Sequence, residues 1–234
     1  MSSLQPFNIL IFSKTTGYRH DSIPTGIQMF QTLAKTTNTF TVTATEDSST
    51  FDSLSTLSHY AVIVLLQNIG DDIFTAAQLS GLQQFVWQGG GIVAIHGAAA
   101  AMQGNEWYTK LIGASFESHP DAELGTVVLE AGKEKHFIMD GCGARERWMD
   151  EWYNFHTHPR LNSNLDILLR GDPKTFLGGK HGDDHPLVWC QEVRGGRVFF
   201  TALGHFDEAY VDGWFVEQVE RGLLWAARRE GEKK

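Results

Sequence analysis

Two hydrophobic rhythms alternate along the first half of the chain: short, β-branched apolar runs, and stretches whose apolar residues recur every three or four positions. Phe7 to Ser13 reads as a strand. Behind a Ser22 cap, with Pro24 in the first turn, Ile23, Ile27, Phe30 and Leu33 then mark an amphipathic helix. Phe40 to Thr45 alternates as a strand, Phe51 and Leu54 suggest a short helix, and Ala61 to Leu66 is apolar throughout, as expected of a parallel strand covered on both faces. Leu79, Leu82, Phe85 and Val86 line another helix, closed by Gly89. The glycines 89–91 lead into a strand, Ile92 to Ile95, that ends on His96, and Ala98 to Ala101 have the propensity to start a helix. Strands interleaved with helices predict an α/β fold: a doubly wound, mostly parallel sheet with helices on both faces.

Beyond His96 the rhythm changes. Trp107 to Ile112 looks helical, while Thr126 to Leu129, Trp148 to Phe155, Leu165 to Leu169, Leu187 to Val193 and Val198 to Ala202 look like strands, either extending the sheet or forming a β-rich insertion. Phe215, Val219, Leu223 and Ala226 give a closing helix. No repeat, low-complexity tract or linker interrupts the pattern, so residues 1–234 are expected to form one domain with an ordered core at about 7–228.

Composition narrows the function. A net charge of −9 and a pI near 5.5, with no basic cluster interleaved with aromatics, exclude a phosphate-tracking surface, so no nucleic-acid partner is expected. Cys142 and Cys190 stand apart with no Cys-x-x-Cys spacing, which suggests neither a disulfide framework nor a thiolate zinc site. No apolar run approaches membrane-spanning length, and a cytoplasmic protein with no membrane partner is expected.

The chemistry lies in the histidines. Six of the ten (His96, His119, His158, His181, His185 and His205) adjoin a glycine or proline, where turns are made. His20, His96 and His205 each follow an expected strand, so parallel strands would gather their imidazoles at one sheet edge, where open α/β sheets keep their ligands. Three imidazoles with a carboxylate nearby suit a divalent metal, zinc first, with a position left for water or substrate; Asp150, Glu151 and Asp207 could supply oxygen or orient a histidine. Taken singly, each histidine more simply satisfies a turn. Trp107, Tyr108, Trp152, Tyr153 and Trp189 adjoin the histidine-bearing segments and could stack on a sugar, whereas Trp87, Trp214 and Trp225 read as helix core. Gly89-x-Gly91-x-x-Ala94 is no dinucleotide fingerprint, because its glycines precede the strand, and no nucleotide cofactor is expected. With His at position 96, and no Gly-x-Ser-x-Gly or Walker loop, covalent acyl chemistry at this elbow is excluded.

Six segments in order carry a resemblance: Lys14 to Pro24, Gly89 to His96, Trp107-Tyr108 through Phe116 to Pro120, Asp150 to Phe155, His185 to Trp189, and Gly196 to His205. Together they resemble the trehalose-utilisation (ThuA-like) family. The resemblance implies a flavodoxin-like, class I glutamine-amidotransferase-like fold without the elbow cysteine, a link to trehalose or 3-keto sugars, and an association with metal. It carries His20, His96, His119, Glu151, Tyr153 and His205 over as site positions. Two departures bear on substrate identity: the plain Ala98 to Ala101 segment, and Gly171-Asp172-Pro173 where an acidic pair is common.

With the residue reading, this gives Glu151, His96 and His119 as catalytic; His20, Arg19, Trp107, Tyr108, Trp152, Tyr153 and His185 as substrate-binding; and His20, His96 and His205 as metal ligands. The expected activity is a metal-assisted isomerase, lyase or hydrolase step on a sugar or keto-sugar. A non-catalytic sugar-binding or carrier module is the alternative, and a protein-interaction scaffold a more distant one. The expected partner is a small carbohydrate, with self-association into a homo-oligomer left open.

Overall fold

A computed structural model describes residues 5–232. Its centre is a nine-stranded sheet built from both halves of the chain. Five strands are mutually parallel: β1 (Phe7–Phe12), β2 (Phe40–Thr45), β3 (Val62–Leu66), β5 (Gly91–Ile95) and β13 (Gly196–Thr201), in the order β2-β1-β3-β5-β13. Antiparallel strands continue it as β12 (His185–Val193), β11 (Asp166–Gly171), β8 (Glu123–Leu129) and β9 (Arg145–Asp150). The second half therefore extends the sheet, and β13 is the seam, parallel to β5 on one side and antiparallel to β12 on the other. Two small parallel or antiparallel pairs lie outside it: β4 (Ile69–Gly70) with β6 (Ala100–Ala101), and β7 (Phe116–Ser118) with β10 (Asn154–Phe155).

The helices are α1 (Ile23–Thr37), α2 (Leu54–Leu57), α3 (Ala76–Trp87), α4 (Glu106–Ile112) and α5 (Gly213–Ala226). Local chemistry sets their ends. Pro24 occupies the first turn of α1, and Asn38 in the left-handed region closes it. Thr75 and Gln78 form a reciprocal capping box on α3. Asp212 caps α5, accepting from the Trp214 N–H. Every residue of β3 and β5 is buried, which explains their unbroken apolar sequence.

Three expectations change. Ala98 to Ala101 do not begin a helix: His96–Ala99 form one 3-10 turn and Ala100–Ala101 pair with β4. The segment Phe51 to Leu57 is two short pieces, a 3-10 turn at Ser48–Asp52 and α2. Trp148 to Phe155 is not one strand, because the ladder ends at Asp150 and resumes elsewhere at Asn154, leaving residues 151–153 to turn inward. No helix among the described residues is long and apolar enough to cross a membrane.

Candidate metal centre

Because β1, β3, β5 and β13 run the same way, their carboxyl ends share one rim, and the residues just past them are polar: Gln67 after β3, His96 after β5, and Gly204-His205 past β13. The sheet thus brings together His20, His96 and His205, whose ring centroids lie 4.9 Å (20–96), 5.0 Å (20–205) and 5.4 Å (96–205) apart. The inward turn after β9 adds Glu151. One donor atom from each of His20, His96, Glu151 and His205 lies within 4.8 Å of all the others. Tetrahedral zinc bonds of about 2.0–2.1 Å place donors roughly 3.4 Å apart, so a small contraction of this set would suit a divalent ion.

Hydrogen bonding fixes which nitrogens face the centre. His96 Nδ1 lies 2.6 Å from the Ala202 carbonyl and His119 Nδ1 lies 2.8 Å from the Pro120 carbonyl. A carbonyl only accepts, so each Nδ1 carries the hydrogen, and in the neutral ring Nε2 keeps its lone pair. Those lone pairs point at one carboxylate: His96 Nε2 is 3.2 Å from Glu151 Oε2, and His119 Nε2 is 3.4 Å from Oε1. His205 Nδ1 stands 3.3 Å from Oε2. None of the buried atoms His20 Nδ1, His96 Nε2 and His205 Nδ1 makes a directed hydrogen bond. A carboxylate facing imidazole lone pairs is repulsive unless a proton or a cation lies between them.

The electrostatics agree. Burial, reinforced by the neighbouring His96 and His205, lowers His20 to about 3, which keeps it neutral. Burial would raise the Glu151 carboxyl, but His205 and His96 outweigh it and hold it well below the usual carboxylate range. Burial would lower His205, but Glu151, with Asp150 and Asp21 further off, leaves it raised.

Two polar side chains hold the donor-bearing loops: Asp150, expected from the sequence to supply oxygen or orient a histidine, and Gln67, which the sequence reading did not single out. The fully buried Asp150 accepts four N–H groups: Trp148 Nε1 and Gly204 N on Oδ2 (both 2.8 Å), Glu151 N (3.0 Å) and His205 N (3.2 Å) on Oδ1. It is not a donor to the centre but ties Glu151 to His205. Gln67 is the second clamp. Its Nε2 donates to the Gly204 carbonyl (2.7 Å) and the Tyr210 hydroxyl (2.9 Å), and its Oε1 accepts from Gly97 N (3.1 Å). Ser22 Oγ completes the connection, donating to the His205 carbonyl at 2.8 Å. The signal for Gln67 was a polar residue directly after an all-apolar strand, the same pattern that marked His96.

The elbow is strained at both clamped positions. Gln67 (φ 58°) and His96 (φ 49°) are non-glycine residues in the left-handed region, a conformation that persists where surroundings impose it. Gly97 packs closely against the other clamp, since a Cβ there would lie 3.1 Å from the Gln67 carbonyl carbon.

The other expected site residues lie outside the donor set. Tyr153 is buried with its ring 4.3 Å from His96, forming a wall of the cluster, and His119 sits at its open side with a side chain 35% exposed. Trp152 has no exposed face for a sugar: it is stacked on Phe176 and donates to the Glu123 carbonyl. Tyr108 is buried with its hydroxyl on the Ala98 carbonyl, and Trp189 is buried with its indole N–H on the Ile112 carbonyl. Arg19 is exposed and paired with Glu46 at 2.6 Å. Asp207 is exposed at the start of a 3-10 turn. Trp107 lines a cleft of about 700 Å³ with Trp87 and Arg194, residues that precede β5 and β13 and so lie toward the opposite rim. Volume favours that cleft, but the donor chemistry is at the histidine rim.

His185 belongs to a second imidazole row with His158 and His181, and burial lowers it to about 4. This row is poorly suited to a cation because backbone N–H groups occupy lone pairs of two of its three members, Phe155 N donating to His181 Nε2 and Arg160 N to His158 Nδ1. The trio His136, Asp166 and Cys190 fails similarly: Ile138 N donates to His136 Nδ1, Lys133 pairs with Asp166, and burial raises the Cys190 thiol to about 12.

The ThuA family model, described as trehalose utilisation, matches residues 8–226. A ThuA-like protein from Bacteroides uniformis ATCC 8492 superposes with a TM-score of 0.79 at 23% identity, covering 97% of this chain and 93% of that one. Another, from Parabacteroides merdae ATCC 43184, has a TM-score of 0.76 at 18% identity, covering 95% and 90%. A β-galactosidase from Bacillus circulans matches 98% of this chain with 32% of its own length, at 11% identity and a TM-score of 0.59. At these identities the structural likenesses speak for the fold alone. No curated protein sequence matches.

Proposed function

As the chain belongs to the ThuA family, we propose that it acts in carbohydrate metabolism as a metal-assisted enzyme on a sugar or keto-sugar, with His20, His96, Glu151 and His205 holding a divalent ion, zinc first. The observation that carries this reading is the convergence of unpartnered imidazole nitrogens on one buried carboxylate. When bound, such an ion supplies Lewis acidity toward a carbonyl oxygen or a water.

The chain's own residues supply the rest. The Ala202 carbonyl fixes the His96 tautomer and leaves Nε2 free to ligate. Tyr153 and the buried rim keep bulk water from the inner side of the cluster. His119 is at hydrogen-bonding reach of the open side, and its Nε2, free to accept, can take a proton from substrate or water and return it, while Glu151 Oε1 stabilises the imidazolium so formed. Proton transfer beside a sugar carbonyl is the shared element of isomerisation, elimination and keto-glycoside cleavage.

The test is metal content of the purified chain together with turnover of trehalose and 3-keto-trehalose, for wild type, Glu151→Gln and His119→Gln. Stoichiometric metal, lost in Glu151→Gln, with turnover lost in both variants, supports the reading. Metal-free protein that rejects added zinc overturns it. Sugar binding that survives Glu151→Gln without any turnover would instead favour a carrier module.

A further inference from the structure

The geometry points to Tyr18 as the platform on which an uncharged pyranose stacks at the mouth of the imidazole cluster, an assignment that rests on the sugar-directed function proposed above. Tyr18 is 62% exposed, an uncommon position for a large aromatic side chain beside a polar site. Its ring meets His20 edge-to-face, at 4.9 Å between centroids, and His20 is in turn 4.9 Å from His96. A ring lying on Tyr18 is therefore beside His20, one of the proposed donors.

The platform is held in place. Thr16 N and Gly17 N both donate to the Ile69 carbonyl, at 2.8 and 3.2 Å, and a Cβ on Gly17 would fall 2.9 Å from Ile69 Cγ2. The loop that carries Tyr18 is thus pinned by its backbone against β4, and the tyrosine projects from a fixed base. Sugars bind such rings through their C–H faces, and a pre-positioned aromatic with two side-chain torsions loses little entropy in doing so.

Charge defines what kind of sugar fits. The cations on the neighbouring loops are already engaged: Arg19 with Glu46, Lys180 with Glu117, and Lys14 with Ser48 Oγ beside Asp47. Exposed Asp21 and Asp207 flank His20 and His205 in sequence. A phosphate would meet acidic groups, with Arg19, Lys180 and Lys14 already engaged elsewhere, whereas a neutral pyranose pays no such penalty.

The experiment titrates methyl α-D-glucopyranoside, trehalose and glucose 6-phosphate into the full chain, with and without zinc, for wild type, Tyr18→Ala and Tyr18→Phe; zinc affinity is measured separately on each. Expected is at least a tenfold loss of neutral-sugar affinity in Tyr18→Ala, near-wild-type affinity in Tyr18→Phe, zinc affinity unchanged in both, and weaker binding of the phosphorylated sugar. Wild-type sugar affinity in Tyr18→Ala, preference for glucose 6-phosphate, or no binding of either neutral sugar would overturn the assignment. Failure of wild type to bind zinc would refute the metal centre alone, since the sugar titration is also read on the metal-free chain.

Discussion

Asp150→Asn is the sharpest perturbation of the centre that leaves every proposed ligand in place. The carboxylate accepts four N–H groups, two on each oxygen. Asparagine retains one oxygen and turns an NH2 toward the other pair. If Oδ2 is replaced, Trp148 Nε1 and Gly204 N lose their acceptor; if Oδ1 is replaced, Glu151 N and His205 N do. Either way the Gly204-His205 segment loses an anchor. Hydrogen bonds to a charged group contribute about 1.5–3 kcal/mol each, so two lost bonds amount to about 3–6 kcal/mol, partly offset because a buried charge is also removed. A net destabilisation of about 3 kcal/mol is expected, read as a lower urea midpoint at unchanged slope. Displacing Glu151 and His205 should also weaken zinc by about 10–100-fold, the usual cost of removing a residue that orients metal ligands. The assay is competition against a chromophoric chelator at fixed pH, on protein shown to be folded by circular dichroism. Stability within about 0.5 kcal/mol of wild type, with zinc affinity changed by less than about threefold, would refute the clamp.

Gln67→Leu removes the partner of Gly97 N and the Gly204 carbonyl, and should cost about 2–4 kcal/mol by leaving buried groups unsatisfied, checked by thermal melting. Gly204→Ala combines a left-handed φ of 108° with a Cβ 2.9 Å from Phe215 Cζ, and should lower both stability and zinc affinity in the same assays. For the metal-free chain, His20 and His185 are lowered from 6.5 to about 3 and 4, so the unfolded state takes up protons first. Stability should therefore fall as pH drops from about 6.5, at up to about 1.4 kcal/mol per pH unit for each group, until their folded-state values are reached. The raised His205 opposes this, since its stabilisation is present below 6.5 and lost as pH rises through its folded value; the lowered Glu151 adds to the acid loss below about 4.5. Urea midpoints that stay flat between pH 7 and 4.5 would contradict the burial of these imidazoles. Zinc should displace the proton of His205, so affinity should climb as pH rises toward its raised value, measurable by the same chelator competition.

The parallel half of the fold was legible because its strands are buried on both faces and its helices carry their own caps. His96 was legible for a related reason: a polar residue at the end of a buried strand has one place to go, the carboxyl rim; His20 and His205 were legible because they lie in the segments that follow β1 and β13 at that same rim. Glu151 was reached as a possible oxygen donor and through the family resemblance, but its route into the centre depends on β9 stopping at Asp150, which the aromatic-rich stretch from Trp148 to Phe155, read as one strand, concealed. The tryptophans misled for a physical reason: Trp152 and Trp189 bring an indole N–H that finds a backbone carbonyl inside the core, so adjacency in sequence to a histidine says little about which way a large ring faces. The orienting part of Gln67 was hidden because it acts on backbone groups thirty residues or more away, and Asp150, though expected to orient a histidine, does so partly through the backbone of Gly204 and His205, more than fifty residues away, which no local spacing encodes.

Two of the proposed donors come from the first hundred residues and two from the last hundred, joined at the seam where the sheet changes direction. A chain leaving the ribosome would have a complete parallel start, with His20 and His96 already in it, and still have no cage, because Glu151 and His205 are synthesised later. Capture by the full set would therefore come at the end of folding and act as a latch between the earliest and latest parts of the molecule, so that a fragment ending before the seam strand would carry His20, His96 and Glu151 but lack His205, the donor that closes the cage.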